Sequence, residues 1–253
     1  MSQSRFLAFD LGASSGRAML GELDGEGLRL SEIHRFANGP VHLPDGLHWD
    51  ALRLWTEIKR GLALALEACG EELQSIGLDT WGVDFGLLDR DGVLISNPYH
   101  YRDGRTDGML EKAFRRVSRE EIFEQTGIQF MQLNSLYQLL SMVIDRSPAL
   151  EIAETFLTMP DLFNYWLTGR QVSEFSIATT TQCYDPRTQD WATSLLERLS
   201  IPPHIFPEIV PPGTILGPVL PSVVQDSAVG SADGLSVIAP ACHDTGSAVA
   251  AVP

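Results

Sequence analysis

The sequence has few positive charges. Its 253 residues contain 18 Lys and Arg against 33 Asp and Glu, which gives a formal net charge of 18 − 33 = −15. Nucleic-acid affinity comes largely from basic side chains that neutralise phosphates, and anionic membranes attract basic segments. The composition therefore excludes nucleic acid and a membrane surface as partners. An anionic ligand would need a local nest of backbone N–H groups or an imported cation.

Cysteine is scarce, and long apolar runs are missing. The three cysteines, Cys69, Cys183 and Cys242, are far apart and form no CxxC or Cys/His cluster, so neither a disulfide framework nor a zinc site is supported. No apolar run reaches the length of a membrane span, and residues 1–5 lead into a strand-like segment without a signal-peptide core. We expect a soluble, cytoplasmic protein.

Hydrophobic patterning predicts strands first and alternating strands and helices later. The predicted strands are residues 6–9, 17–20, 28–36, 75–80 and 235–239, with a hairpin over 87–95. The first three strands form an antiparallel meander, because short polar turns join them. A chain of this length can bury a full core. The pattern is typical of an α/β domain with a mixed sheet.

Helices are predicted from caps and apolar spacing. Asp50 is a candidate N-cap for a helix that runs to Cys69, and Ser118 with Glu121 forms a capping box. Further helices are predicted over residues 136–144, 162–167 and 191–199. Residues 202–221 are rich in Pro and Gly and are predicted to be a linker or an irregular edge.

The first candidate site is Asp10 with the turn that follows it. Small residues at 12–16 allow backbone N–H groups to converge on a phosphate, Arg17 could add a charged contact, and Asp10 could hold hydrated Mg²⁺. An ordinary hairpin whose Asp bonds its own backbone explains the same residues. Spacing alone favours that second interpretation, since the turn is neither a Walker A loop nor a Rossmann fingerprint.

The second candidate is Asp244, which follows a strand and precedes an Ala-rich stretch. It can be the N-cap of that helix, and it can be a general base that faces a cleft. Both roles are compatible.

Two aromatic segments remain open. Residues 81–84 (WGVD) suit a sugar, although a core Trp at a strand end explains them better without further evidence. Residues 99–105 (YHYRDGR) fit a binding loop and a solvated loop with local ion pairs equally well.

Taken together, these segments resemble the FGGY carbohydrate kinases of the actin-like ATPase superfamily. The similar segments, in order, are residues 9–17, 79–85, 101–106, 126–130, 134–139, 159–161, 167–169, 178–182 and 242–245. Each is weak alone, whereas the ordered set is specific. The resemblance implies an actin-like (ribonuclease H-like) fold with helices on both faces of the sheet.

The resemblance also implies an activity. Residues 79–85 are similar to the branch that uses ATP to phosphorylate L-rhamnulose at its 1-hydroxyl, with L-fuculose and L-xylulose as alternative ketoses. A sugar-binding module without catalysis is the alternative from another class. By position, Asp244 would be the general base, and Gly82, His243 and Thr245 would contact sugar. Ala13, Ser14, Ser15, Gly16 and Arg17 would approach the ATP phosphates, and Asp10 would orient Mg²⁺.

The chain departs from the family pattern at three points. Gln138 stands where many family members have Lys, and Cys242 stands where a small residue such as Ser is common. The largest departure is length, because the family has a second actin-like domain that supplies the adenine site. We expect residues 1–240 to be the sugar-binding first domain and 241–253 to begin the crossing into a second domain missing from this chain. This fragment alone would lack normal turnover.

Overall fold

The computed structural model describes residues 4–226 and 234–252. The helices in chain order are α1 (Ala51–Cys69), α2 (Met109–Phe114), α3 (Arg119–Thr126), α4 (Ser135–Ile144), α5 (Pro148–Glu151), α6 (Met159–Thr168), α7 (Phe175–Thr180), α8 (Thr193–Leu199), α9 (Pro221–Asp226) and α10 (Asp244–Ala250). Turns of 3₁₀ helix lie at Gly70–Glu72, Gly104–Thr106 and Pro203–Ile205. Within these described ranges, no helix has the length and apolar character that a membrane span requires.

The strands in chain order are β1 (Ser4–Leu11), β2 (Ser15–Asp24), β3 (Gly27–Ala37), β4 (Pro40–Leu43), β5 (Gly46–Trp49), β6 (Leu73–Thr80), β7 (Phe85–Leu88), β8 (Thr155–Thr158), β9 (Ser173–Glu174), β10 (Tyr184–Asp185), β11 (Asp190–Trp191), β12 (Ile209–Val210), β13 (Thr214–Pro218) and β14 (Ser236–Ala239).

A six-stranded mixed sheet organises the fold. Its order is β13-β14-β6-β1-β2-β3. The first three strands pair antiparallel, whereas β1, β6 and β14 run parallel, so the predicted meander and mixed sheet are confirmed. The register places Asp10 beside both Arg17 and Asp79.

The sheet has one well-covered face. Alternate residues of β1 (Leu7, Phe9 and Leu11) are buried on this face, which joins α1 and α6 in one core. Residues of the opposite parity, such as Asp10, are partly exposed. On that second face α10 contacts β6 near Asp79, so helices meet both faces. The polar second face is where charged side chains can gather.

Helix α1 follows its predicted boundaries. The Asp50 carboxylate accepts the backbone N–H of Arg53 at 3.0 Å and so caps the first turn, as predicted. Leu54, Ile58 and Leu62 are fully buried at helical spacing against the sheet. Gly70 ends the helix at φ +54°, a conformation that favours glycine.

A second core packs beside the sheet. It contains α2, α4 and α8 around the β7–β8 pair, and Phe85 of β7 stacks on Phe156 of β8 at 4.7 Å between ring centroids. The capping box of Ser118 and Glu121 is present at the start of α3, as predicted. This layer presents α4 to the loop after β6.

Several predicted elements differ from the structure. Strand β7 pairs with β8, which was not predicted, while the predicted hairpin over 87–95 is present as an antiparallel bridge between Leu88 and Leu94 with backbone hydrogen bonds across it. Helix α8 begins at Thr193, because Trp191 belongs to the short strand β11. The segment 202–221 is an edge with a strand, since β13 pairs with β14 through a bulge. Long-range pairing decided these elements over local propensity.

Gly61 lies where α1 packs closely against β1 and β2. A Cβ at this position would lie 2.6 Å from Cε1 of Phe9 and 2.9 Å from Cβ of Ala18. Real Cβ atoms do not approach neighbours this closely, so the helix can lie this near only with glycine here.

Replacing Gly61 by Ala is expected to destabilise the protein. Overpacking of about 1–3 kcal/mol outweighs the gain in helix propensity of about 1 kcal/mol. Urea or thermal unfolding measures the change. Gly39→Ala is the matched control, because its added Cβ meets nothing within 4 Å. Equal or higher stability of Gly61→Ala would contradict the packing described here.

Candidate functional site

The carboxyl ends of β1, β6 and β14 meet at one edge of the sheet. The loops that follow them are tied together by backbone bonds: Trp81 N–H donates to the Leu11 carbonyl at 3.2 Å, and Thr80 N–H donates to the Cys242 carbonyl at 2.9 Å. In open α/β sheets, ligands bind outside this edge. A ligand site is therefore expected at this edge of the sheet.

A cleft of about 500 Å³ opens at this edge. Its lining is mostly apolar and aromatic, with a few convergent polar groups, which is typical of a small-molecule site. The lining residues are Ala13, Trp81, Gly82, Val83, Tyr101, Ile128, Met131, Leu133, Asn134, Thr179, Thr180, His243 and Asp244.

Asp244 and His243 both line the cleft. Asp244 is the first residue of α10, and its side chain is 40% exposed, with Oδ1 3.4 Å from Nε2 of His243. His243 occupies the N-cap position predicted for Asp244. Thr245 lies outside the lining and donates its hydroxyl to Oδ1 of Asp244 at 3.0 Å. The carboxylate is thus held on one oxygen and remains accessible.

Buried carboxylates position the segment that carries Asp244. Glu174 is fully buried; it caps α7 and also accepts the backbone N–H of Cys242 at 3.0 Å. Asp161 accepts Ser173 Oγ at 2.8 Å and Glu174 N–H at 3.0 Å. Burial raises the pKa of Asp161 to about 7. These bonds attach the loop before α10 to α6 and α7.

The loop after β6 has a strained conformation. Val83 has φ +69°, which is rare for a β-branched residue. Its N–H donates to Thr180 Oγ1 at 3.1 Å, and its carbonyl accepts Ser135 Oγ at 2.5 Å. Gly82 packs closely as well, because a Cβ there would lie 3.1 Å from Thr180. Strain of this kind persists only where neighbours over-determine the backbone.

The turn between β1 and β2 lies beside the cleft. Ala13 lines the cleft, and Gly12 N–H donates to the Ser15 carbonyl at 2.9 Å. Residues 12–16 match the pattern G-x-S-x-G, but they join two antiparallel strands, so Ser14 is not in a nucleophile elbow. Gly16 belongs to β2, where a Cβ would lie 2.3 Å from the ring of Phe36.

Asp10 and Arg17 form an ion pair across this turn. Arg17 Nε lies 3.2 Å from Oδ2 of Asp10, and both side chains are about two-fifths exposed, at 40% and 42%. The structure therefore brings together the residues predicted for phosphate and Mg²⁺. A pair exposed to this extent contributes little to stability and remains free to rearrange around a ligand.

Asp79 is a third carboxylate at this edge. Burial and the charges of Asp10 and Asp244 raise the pKa of Asp79 to about 7. Its Oδ1 is buried and has no hydrogen-bond partner among the described residues. Within residues 4–226 and 234–252, no three His, Cys, Asp or Glu side chains are arranged to hold a metal by themselves. Mg²⁺ usually takes only one or two protein carboxylates, with waters and phosphates as its other ligands.

The two aromatic segments, residues 81–84 and 99–105, each contain side chains that pack against other aromatic rings and side chains that line the cleft. Trp81 is only 5% exposed and stacks on Trp49 at 3.9 Å, yet it lines the cleft. In the loop over 99–105, Tyr101 lines the cleft, whereas the guanidinium of Arg105 lies over the ring of Tyr99 at 3.9 Å. Residues 81–84 therefore combine their two predicted roles. In the loop over 99–105, His100 and Asp103 are buried, so this segment is part of the cleft wall and not a solvated loop.

Sequence reasoning missed part of the lining. Asn134 and Thr180 reach the cleft from the N-terminus of α4 and the end of α7, and Asp79 joins the charged edge. All three lie in segments that resemble the family, but none was assigned to the site, because nothing in their local pattern indicates one. Only the packing of distant segments brings them to this edge.

Asp79→Asn is expected to stabilise the protein at about pH 8 and to leave it near the wild type at about pH 4. A carboxyl with a raised pKa loses stability as pH rises from its ordinary pKa to its folded-state value. Asn stays neutral at every pH, so the variant does not lose stability on ionisation at this position. The thermal midpoint should rise by about 2–4 °C per kcal/mol regained. Glu124→Gln on α3 is the exposed control; a gain independent of pH would contradict this account.

The sequence is similar to known proteins over nearly its whole length. Residues 5–250 match the sequence profile of the FGGY family of carbohydrate kinases, N-terminal domain. A protein named rhamnulokinase from Bacteroides thetaiotaomicron is 44% identical over 251 residues, which are 99% of this chain and 51% of that protein. One with the same name from Oceanobacillus iheyensis is 41% identical over 247 residues, covering 98% and 52%.

Solved structures have the same fold. The xylulose kinase from Lactobacillus acidophilus, solved with ligand, superposes with a TM-score of 0.81 at 16% identity, covering 93% of this chain and 47% of that one. The xylulose kinase from Rhodospirillum rubrum gives 0.81 at 20% identity, covering 94% and 48%. This chain spans about half the length of its relatives. It belongs to the FGGY family of carbohydrate kinases and corresponds to the N-terminal domain of that family.

Proposed function

We propose that this chain is the sugar-binding half of a kinase that transfers the γ-phosphoryl group of ATP to the 1-hydroxyl of L-rhamnulose. Two relatives named rhamnulokinase are 41% and 44% identical to it over nearly its whole length. The observation that carries the proposal is the placement of Asp244, His243 and Gly82 on one cleft. The family resemblance implies a role for all three at the sugar, with Asp244 as the general base.

Asp244 is the general base in this proposal. Its Oδ1 accepts the Thr245 hydroxyl and backbone N–H. No described residue donates a hydrogen bond to Oδ2. Oδ2 can therefore take the proton of the sugar hydroxyl, whose oxygen attacks the γ-phosphorus while ADP leaves. His243 and the backbone of Gly82 orient the sugar against this oxygen.

Residues of the β1–β2 turn face the phosphates in this proposal. Phosphoryl transfer asks the protein for positioning and for stabilisation of charge. Ala13, Ser14, Ser15 and Gly16 would offer backbone N–H groups, and Arg17 would turn from Asp10 toward a phosphate. The partly exposed Asp10 and the unpaired Oδ1 of Asp79 fit a nearby cation. Asp10 would hold Mg²⁺, which neutralises phosphate charge when bound.

The division at residue 240 belongs to the same proposal. Residues 1–240 would form the sugar-binding domain, and 241–253 would begin the crossing to a second domain that holds adenine. Residues 1–3, 227–233 and 253 lie outside the described part of the chain. Without the second domain, this chain would bind the ketose without phosphorylating it. Full ADP release by the 253-residue chain alone would contradict this division.

Asp244→Asn tests the base. In a protein that joins this chain to its second domain, we expect kcat to fall by about 10²–10⁴-fold, the usual contribution of general-base catalysis. KM for the ketose should change little, because the amide keeps the shape of the carboxyl group. A coupled assay of ADP release measures both constants. Glu124→Gln, which removes an exposed charge on α3, should match the wild type; near-normal turnover of Asp244→Asn would remove the base assignment.

The ketose can be tested on this chain directly. Isothermal titration with L-rhamnulose, L-fuculose and L-xylulose should give the tightest binding for L-rhamnulose. The margin over L-xylulose, which lacks the terminal methyl group, should be about 10–200-fold. Tighter binding of another ketose would reassign the substrate within the family. Ketose binding with no turnover in the two-domain protein would favour the non-catalytic module.

A further inference from the structure

Asp84 is buried, and no cationic side chain in the described part of the chain forms an ion pair with it. It is fully buried, and each of its hydrogen-bond donors is a neutral N–H group. Oδ2 accepts the indole N–H of Trp49 at 2.6 Å, the indole N–H of Trp81 at 3.0 Å and the backbone N–H of Tyr101 at 3.1 Å. Oδ1 accepts the Gln138 amide at 2.9 Å. One carboxylate thus holds two residues of the cleft wall, Trp81 and Tyr101.

Gln138 connects this carboxylate to the guanidinium of Arg105, a partly buried cation. Its Oε1 accepts the guanidinium of Arg105 at 2.6 Å, while its Nε2 donates to Asp84 and also to the Val83 carbonyl at 3.2 Å. Reversing the amide would turn its oxygen toward the carboxylate and its N–H groups toward the guanidinium, so the orientation follows from charge. The amide dipole therefore links an anion and a cation that do not touch.

Both charged partners need this link. Burial raises the pKa of Asp84 to about 6, although its hydrogen bonds from Trp49, Gln138 and Trp81 oppose that shift. Burial lowers the pKa of Arg105 to about 10. A buried charge that loses its hydrogen-bond partner is strongly destabilising, so the bonds of Gln138 matter to both ends. The same amide holds the strained Val83, next to Gly82.

We propose that Gln138 is a positioning residue, whose amide couples buried Asp84 to Arg105 and so fixes Trp81, Val83 and Tyr101 as one wall of the cleft. This inference rests on the proposed function for its ligand, a ketose. It accounts for the departure at this position, where many family members have Lys. A Lys would place its positive charge directly against Asp84. Gln138 instead places its amide dipole between Asp84 and Arg105.

The first experiment needs no ligand. In a ¹H–¹⁵N spectrum of the 253-residue chain, the indole resonances of Trp49 and Trp81 report the bonds to Asp84. Gln138→Met removes the amide with little change in volume, and we expect both resonances to shift. Ser141→Ala is the control, because Ser141 is a buried polar residue on the same helix whose hydroxyl donates to the backbone carbonyl of Gln138 and not to Asp84. Unmoved indole resonances in Gln138→Met would overturn the inference.

The second experiment measures ketose affinity by calorimetry with L-rhamnulose. Gln138→Met should weaken binding about 10-fold, the usual effect of losing a hydrogen bond to a charged group. Ser141→Ala should stay within about 2-fold of the wild type, because it leaves every bond to Asp84 in place. Equal affinity of Gln138→Met and wild type would overturn the inference and leave the proposed function standing.

A charge-matched double variant separates positioning from general destabilisation. Gln138→Lys together with Arg105→Met places one cation directly on Asp84 and keeps the net charge of the network. We expect this protein to fold, to keep the indole shifts near those of the wild type and to regain affinity to within about 3-fold. If Gln138→Met does not fold, the double variant replaces it as the test. The inference would be overturned if the double variant recovered neither the indole shifts nor the ketose affinity. If the wild type binds no ketose, the proposed function fails and the indole spectra alone decide.

Discussion

Three buried carboxylates hold the edge of the sheet at which the cleft forms. Asp84, Asp161 and Glu174 are all at most 2% exposed, and protein N–H and O–H groups replace their hydration. A buried charge without such partners is costly, so each carboxylate constrains the segments that supply its donors. Asp84 gathers Trp81 and the loop of Tyr101, and Glu174 gathers α7 and the segment before Asp244. The cleft is the space between these two groups of segments.

Part of the chain's negative charge is concentrated at this edge of the sheet. Asp10, Asp79 and Asp244 converge there, and the pKa of Asp79 is raised because of burial and the other two charges. Arg17 offsets part of this charge through its pair with Asp10. The edge therefore combines three carboxylates with one partly exposed guanidinium. It would repel a free anion that arrived without a cation.

Local sequence patterns predicted much of the fold correctly. The Asp50 cap, the boundaries of α1, the capping box of α3 and the opening meander are all confirmed, because each depends on residues that are near one another along the chain. The pairing of β7 with β8 was not predicted, since its partners are separated by more than sixty residues. The Pro-rich segment around β13 was left between two interpretations because a strand at a sheet edge tolerates such residues.

Local patterns and the order of motifs were enough to indicate the family resemblance, the order of elements and the residues proposed for sugar, phosphate and metal. The tertiary structure decided which of them meet. Asp10 pairs with Arg17, Asp79 joins the charged edge, and Thr245 stands outside the cleft. It also decided that Asp84 and Gln138, 54 residues apart, share a hydrogen bond. The physical reason is that burial and charge compensation depend on neighbours in space, whereas periodicity and capping depend on neighbours in sequence.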